Sequence, residues 1–140
     1  MYLVRMIYVS TIANTTDSGA VQKILATARK NNEKHDLTGL LVFDNKYYLQ
    51  AIEGGRTAVN LLLGKLFSDD RHSDMLVLGM EQVHQRAFPN WSMEFIEAST
   101  ASRQTALRHG TTRIFTPYEM TYPSALNFMS ELFALHQSNQ

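Results

Sequence analysis

The segment Leu37-Thr38-Gly39-Leu40-Leu41-Val42-Phe43-Asp44-Asn45-Lys46-Tyr47-Tyr48-Leu49-Gln50-Ala51-Ile52-Glu53-Gly54-Gly55 decides the fold. Two strand-like runs, Leu37 to Phe43 and Tyr47 to Ile52, flank the short turn-forming Asp44-Asn45-Lys46, which predicts a β-hairpin closed by Gly54-Gly55. Upstream, Val21, Ile24, Leu25 and Ala28 recur at helical spacing, and steps of three and four residues carry the same face on to Asn31 and Asn32. Before that helix, Leu3 to Ser10 is an apolar, β-branched run that ends in the polar loop Asn14 to Gly19. Downstream, Val59, Leu62, Leu63 and Leu66 mark a second amphipathic helix ending near Asp69-Asp70-Arg71-His72, and Met75 to Val83 and Met93 to Ile96 read as two further strands. The order β-α-β-β-α-β-β is the split arrangement of α+β, ferredoxin-like domains, which sets strands one and three side by side and both helices on one face of the sheet.

Strand alternation then groups Val4, Met6 and Tyr8 on one face of strand one, and Tyr48, Gln50 and Ile52 on one face of strand three, both toward the helices. Tyr8, Gln50, Asn31 and Asn32 thus converge on the core side of the chain. An amide or phenol taken out of water without a hydrogen bond costs about 1–3 kcal/mol, so four of them call for a flat, polar, neutral partner between them. A flavin suits this, because the edge of its ring asks for groups that donate and accept together, as amides do. Asn32 alone reads equally as a helix C-terminal residue in the left-handed conformation, and Tyr8 alone as a core tyrosine with a satisfied hydroxyl. Asp69, Arg71 and His72, with Lys65 one turn earlier, read as a local salt bridge at a solvated helix end or as contacts to the ribityl and phosphate end of a ligand. A metal site is not expected, since His35, His84, His109 and His136 are scattered without ligand spacing. Glu53-Gly54-Gly55 reads as turn chemistry, not as a phosphate loop. Trp91 and Met93, beside Pro89, read either as core or as an aromatic near the ring and a methionine against the Gln50 amide.

The chain of 140 residues, 44% hydrophobic, suffices for one well-filled core. Thirteen basic residues balance thirteen acidic ones without a run of either sign, which argues against a nucleic-acid partner. The lack of cysteine removes disulfides, thiolate metal sites and thiol nucleophiles. Met1 leads straight into a strand-like segment without a signal-peptide pattern, and no apolar stretch approaches the roughly 18 residues that cross a bilayer, so a soluble cytoplasmic protein is expected. From Ala98 the composition changes: Ala98-Ser99-Thr100-Ala101-Ser102 reads as a linker, and Pro123 opens an amphipathic helix with Leu126, Met129, Leu132 and Phe133. That helix needs an apolar surface, either the sheet face bearing Leu3, Ile7 and Val9 or a second subunit.

From Met1 to about Ile96 the chain resembles the BLUF domain, a blue-light receptor that binds flavin without a covalent bond. The matching elements are Tyr8-Val9-Ser10, Asn31-Asn32 with Leu37-Thr38-Gly39-Leu40-Leu41, Gln50 with Glu53-Gly54, Asp70-Arg71-His72, and Arg86-Ala87-Phe88-Pro89-Asn90-Trp91-Ser92-Met93. Tyr48 stands where such proteins often have phenylalanine. The resemblance implies a flavin-binding domain over residues 1–97 and a C-terminal helical extension over 98–140, with no enzymatic turnover. It also implies FAD as cofactor, with FMN or riboflavin as alternatives. Tyr8, Ile24, Asn31, Asn32, Gln50, Lys65, Asp69, Arg71 and His72 are expected to hold the flavin. Tyr8 is expected to donate an electron and proton to the excited flavin, and Gln50 to relay the proton and rearrange, with Trp91 and Met93 carrying the change toward the C-terminal segment. Homo-oligomers and a separate, response-regulator-like signalling partner are the implied output. The rival readings are a small ferredoxin-like hydrolase, a flavin-dependent reductase and a module that binds only protein. The first would need an arginine-bearing anion loop that Ser10-Thr11-Ile12-Ala13 does not supply.

Overall fold

A computed structural model describes residues 2–13, 18–89, 93–101 and 103–138, with backbone alone at 18–24 and 100. Strand β1 (Leu3–Ile12) leads to helix α1 (Ser18–Lys34), strands β2 (Thr38–Phe43) and β3 (Tyr47–Gly55), helix α2 (Arg56–Phe67), and strands β4 (His72–Gln82) and β5 (Glu94–Glu97). A short helix, α3 (Arg103–His109), and a long one, α4 (Tyr122–Ser138), complete the chain. The sheet runs β4-β1-β3-β2-β5 and is antiparallel except between β2 and β5. This is the ferredoxin-like order expected from the pattern, with β5 added at one edge.

Local chemistry sets the central hairpin. Asp44 Oδ1 accepts hydrogen bonds from the backbone N–H of Lys46 (2.8 Å) and Tyr47 (2.7 Å), which folds the turn on itself. Gly39 lies so close to the Ala51 carbonyl of β3 that a Cβ there would overlap it. Gly54 and Gly55 do not form the separate turn expected of them. They stay in β3, and α2 begins at once, with extended Gly55 as its N-terminal cap. Gly54 instead makes room for the Leu37 side chain. The left-handed residue at the end of α1 is Asp36, with φ 56°, whereas Asn32 lies inside the helix and is buried. The reading of Asn32 as a left-handed cap is therefore set aside.

Alternation divides the sheet into two apolar faces. Toward α1 and α2, Met6, Tyr8, Leu41 and Ile52 pack with Leu25 and Val59. On the other face, Ile7, Val9, Val42 and Leu49 pack with Phe128, Met129 and Leu132 of α4, while Phe88 meets the Phe133 ring edge-on at 5.4 Å. The sheet face thus accepts the last helix, although Leu3 stays at its margin outside that cluster. Residues 98–100 form a single 3-10 turn instead of an open linker, and α3 follows where no helix was expected. Its seven residues hold no apolar stripe for periodicity to reveal; it buries only Thr105 and Ala106 and is tied to α4 by Arg108 and His109, both paired with Glu131.

Candidate functional site

A cavity of about 190 Å³ lies between α1 and α2 over the central strands. Its floor is built by register: Tyr8 of β1 sits directly opposite Gln50 of β3. Both are nearly sealed from solvent, at 3% and 7% exposure. The Tyr8 hydroxyl donates to Gln50 Oε1, and Gln50 Nε2 donates to Met93 Sδ at 3.4 Å. Three residues from β1, β3 and the entry to β5 therefore form one chain of hydrogen bonds along the cavity wall. Burial pushes the Tyr8 phenol well above its ordinary value, with the nearby Tyr48 and Asp69 adding to it, so the hydroxyl stays a proton donor.

Asn31 and Asn32 project into the same cavity from the last turns of α1. Lys65 in the last turn of α2, Asp69 and Arg71 in the segment after it, and His72 at the start of β4 also line the cavity. Arg71 grips Asp69 with two nitrogens, Nε at 2.9 Å and Nη2 at 2.6 Å, and this pairing holds the Asp69 carboxyl below the usual range against the opposing effect of burial. His72 Nε2 is 2.7 Å from the Leu66 carbonyl, and its ring stands edge-on to Tyr8, 6.3 Å between centroids. Nine of the residues expected to form the site thus line one cavity. The other two, the Ile24 side chain and Trp91, lie outside the described residues. The donor set fits a flavin: the amides of Asn31, Asn32 and Gln50 can both donate and accept as a ring edge asks, and the cationic Lys65 and Arg71 suit a phosphate.

Three residues around the site were assigned no role there by the sequence: Arg29, which no motif marked, and Glu53 and Arg86, which stood only among the matching elements. Arg29 of α1 donates from Nε to the Met93 carbonyl at 2.8 Å and lays its guanidinium over the Phe95 ring. Glu53, fully buried, accepts from Arg5 Nε (2.7 Å) and from the backbone N–H of Ala87 (2.8 Å) and Phe88 (2.7 Å). Arg86 donates to Thr38 Oγ1, the Glu53 carbonyl and the Asp36 carbonyl. These bonds pin the 86–88 segment and the start of β5, which places Met93 beside Gln50. A charged residue at Arg5, between Leu3 and Ile7 on an apolar strand face, is the signal that could have pointed to a buried acidic partner.

Over residues 3–94 the chain matches the family described as BLUF, sensors of blue-light using FAD. The chain belongs to the BLUF family. It is 24% identical over 127 residues to the blue light- and temperature-regulated antirepressor BluF of Escherichia coli (strain K12), covering 90% of this chain and 32% of that protein. To the photoactivated adenylate cyclase subunit beta of Euglena longa it is 28% identical over 92 residues, 65% of this chain and 11% of that one. The chain thus spans about a third of the first and about a tenth of the second. Among solved structures, the photo-activated state of BlsA superimposes with a TM-score of 0.85 at 25% identity, over 93% of this chain and 94% of that one. The cavity between α1 and α2 belongs to a BLUF domain, and this domain is a flavin-based sensor of blue light. No helix among the described residues is long and apolar enough to cross a membrane.

Proposed function

We propose that this BLUF protein turns absorbed blue light into a rearranged hydrogen-bond chain through Tyr8, Gln50 and Met93, and passes that change to a partner protein without turning over a substrate. The observation that carries the reading is the Tyr8–Gln50–Met93 chain on the cavity wall. Asn31 and Asn32 would hold the ring edge, with Ile24 beside them, and Lys65, Asp69, Arg71 and His72 the ribityl and phosphate end. When bound, the flavin supplies light absorption and an electron-accepting excited state. Tyr8 is the electron and proton donor, its phenolic proton aimed at Gln50 Oε1. Gln50 would accept that proton at Oε1 and pass one from Nε2 to the electron-accepting ring that a bound flavin would supply, and then rearrange by rotation or tautomerisation of its amide. A neutral amide suits this role, since both of its orientations offer one donor and one acceptor end.

The rearrangement takes the Gln50 N–H away from Met93 Sδ, which can only accept, and Met93 immediately precedes β5, whose Ile96 packs in the same cluster as α4. Light thereby reaches residues 98–140, which we take as an extension to a sensing domain of residues 1–97. A two-state switch acts only through contacts that differ between its states. The output is accordingly a change in binding, in a homo-oligomer and toward a separate, response-regulator-like protein in the cytoplasm. A relative named as an antirepressor supports control through another macromolecule.

The test is the absorption spectrum of the purified chain before and after blue illumination. Wild type is expected to hold flavin and shift slightly to the red, while Gln50→Leu holds flavin and does not shift. A colourless protein, even after loading with excess flavin, overturns the sensor reading. A full shift in Gln50→Leu overturns the relay.

A further inference from the structure

Tyr48 lies two residues before Gln50 on the same face of β3 and lines the same cavity. The residue is almost sealed, at 7% exposure, and its hydroxyl is buried without a hydrogen-bond partner among the described residues. The neighbouring polar tips are already engaged: Tyr8 with Gln50, Gln50 with Met93, Asp69 with Arg71, and His72 with the Leu66 carbonyl. Ser10, opposite Tyr48 in register, is also buried and unpartnered, but it does not line the cavity. Among these, Tyr48 is the cavity-lining residue whose hydroxyl is unsatisfied among the described residues. A buried hydroxyl with no partner destabilises the protein that carries it, and a ligand acceptor relieves this on binding.

The position along the cavity selects the part of the ligand. In register, the Ser10–Tyr48 pair stands between the Tyr8–Gln50 pair and the end of β1, where Ile12 lies opposite His72 of β4. Tyr48 therefore lies between the photochemical tyrosine and the charged groups fitted to a phosphate. We propose that the Tyr48 hydroxyl is a hydrogen-bonding contact for the ribityl chain of the bound flavin, the polyol shared by riboflavin, FMN and FAD. The assignment rests on the flavin site described above, and makes Tyr48 a ligand-binding residue with no part in the photochemical relay.

The test uses the full chain, wild type and Tyr48→Phe, prepared free of flavin. Dissociation constants for riboflavin, FMN and FAD are measured by quenching of flavin fluorescence, and thermal midpoints are measured without ligand. Tyr48→Phe is expected to weaken all three flavins by a similar factor, about three- to tenfold, as for one neutral hydrogen bond. Its flavin-free midpoint is expected to rise, because the unpartnered hydroxyl is gone. Unchanged affinities overturn the proposal, as does a loss confined to FMN and FAD, which would place the contact at the phosphate. A lowered flavin-free midpoint overturns it too, since the hydroxyl would then be satisfied within the protein. Failure of the wild type to bind any flavin would instead overturn the flavin site itself.

Discussion

Glu53 shows how much one side chain can organise at a distance from the ligand. Its carboxylate is fully buried and binds Arg5 and two backbone N–H groups of the segment leading to β5. Replacing it by glutamine leaves the exposed Glu81, 3.6 Å away, as the remaining carboxylate paired with Arg5 among the described residues. Loss of one partner from a buried pair costs about 3–5 kcal/mol, so Glu53→Gln is expected to lower unfolding free energy by that order in a urea titration. An unchanged midpoint would show that the pair contributes nothing. The Tyr8 phenol yields a pH prediction. In the unfolded chain it ionises near 10, and in the folded protein burial raises that value, so the folded state holds more protons above pH 10. Stability from Tyr8 is full below pH 10 and falls by about 1.4 kcal/mol per unit above it. Urea midpoints measured between pH 8 and pH 11.5 should be flat in this respect at first and then decline. Alternation made the Tyr8 and Gln50 positions readable, whereas Glu53 hid behind two glycines that looked like a turn.

The elements were readable wherever a periodic apolar pattern ran long enough. α1, the central hairpin, α2 and α4 fall where spacing puts them, with ends displaced by a few residues. α3 escaped because seven residues give one face too few positions, and its reason to be helical is the surface of α4. α4 itself is held by its apolar face: Phe128, Met129 and Leu132 are all but inaccessible against the sheet. Truncating a buried phenylalanine to alanine costs about 3–5 kcal/mol. Phe128→Ala is therefore expected to destabilise the protein by that order in equilibrium unfolding, while the cavity on the other sheet face keeps its flavin. Loss of flavin at temperatures where the variant remains folded would mean that the two faces are coupled more tightly than their packing implies.

At the scale of the molecule, the sheet separates two tasks. One face, under α1 and α2, carries the cavity; the other carries the C-terminal helix. A ligand that binds only the folded protein stabilises it by about 2.7 kcal/mol at a hundredfold excess over its dissociation constant. The thermal midpoint is thus expected to climb with added FAD and to fall when flavin is stripped. A midpoint independent of flavin concentration would contradict binding in the folded cavity.

Sequence alone determined the order of the five strands with α1 and α2, the apolar faces, and the convergence of Tyr8, Gln50, Asn31 and Asn32. Those properties follow from periods of 2 and 3.6 residues, which a chain displays before it folds. Only the tertiary structure decided which surface α4 covers, that Glu53 is a buried anchor, that Arg29 holds the Met93 carbonyl, and that the Tyr48 hydroxyl has no partner among the described residues. Each of these depends on residues tens of positions apart meeting across the sheet, and no local pattern records such a meeting.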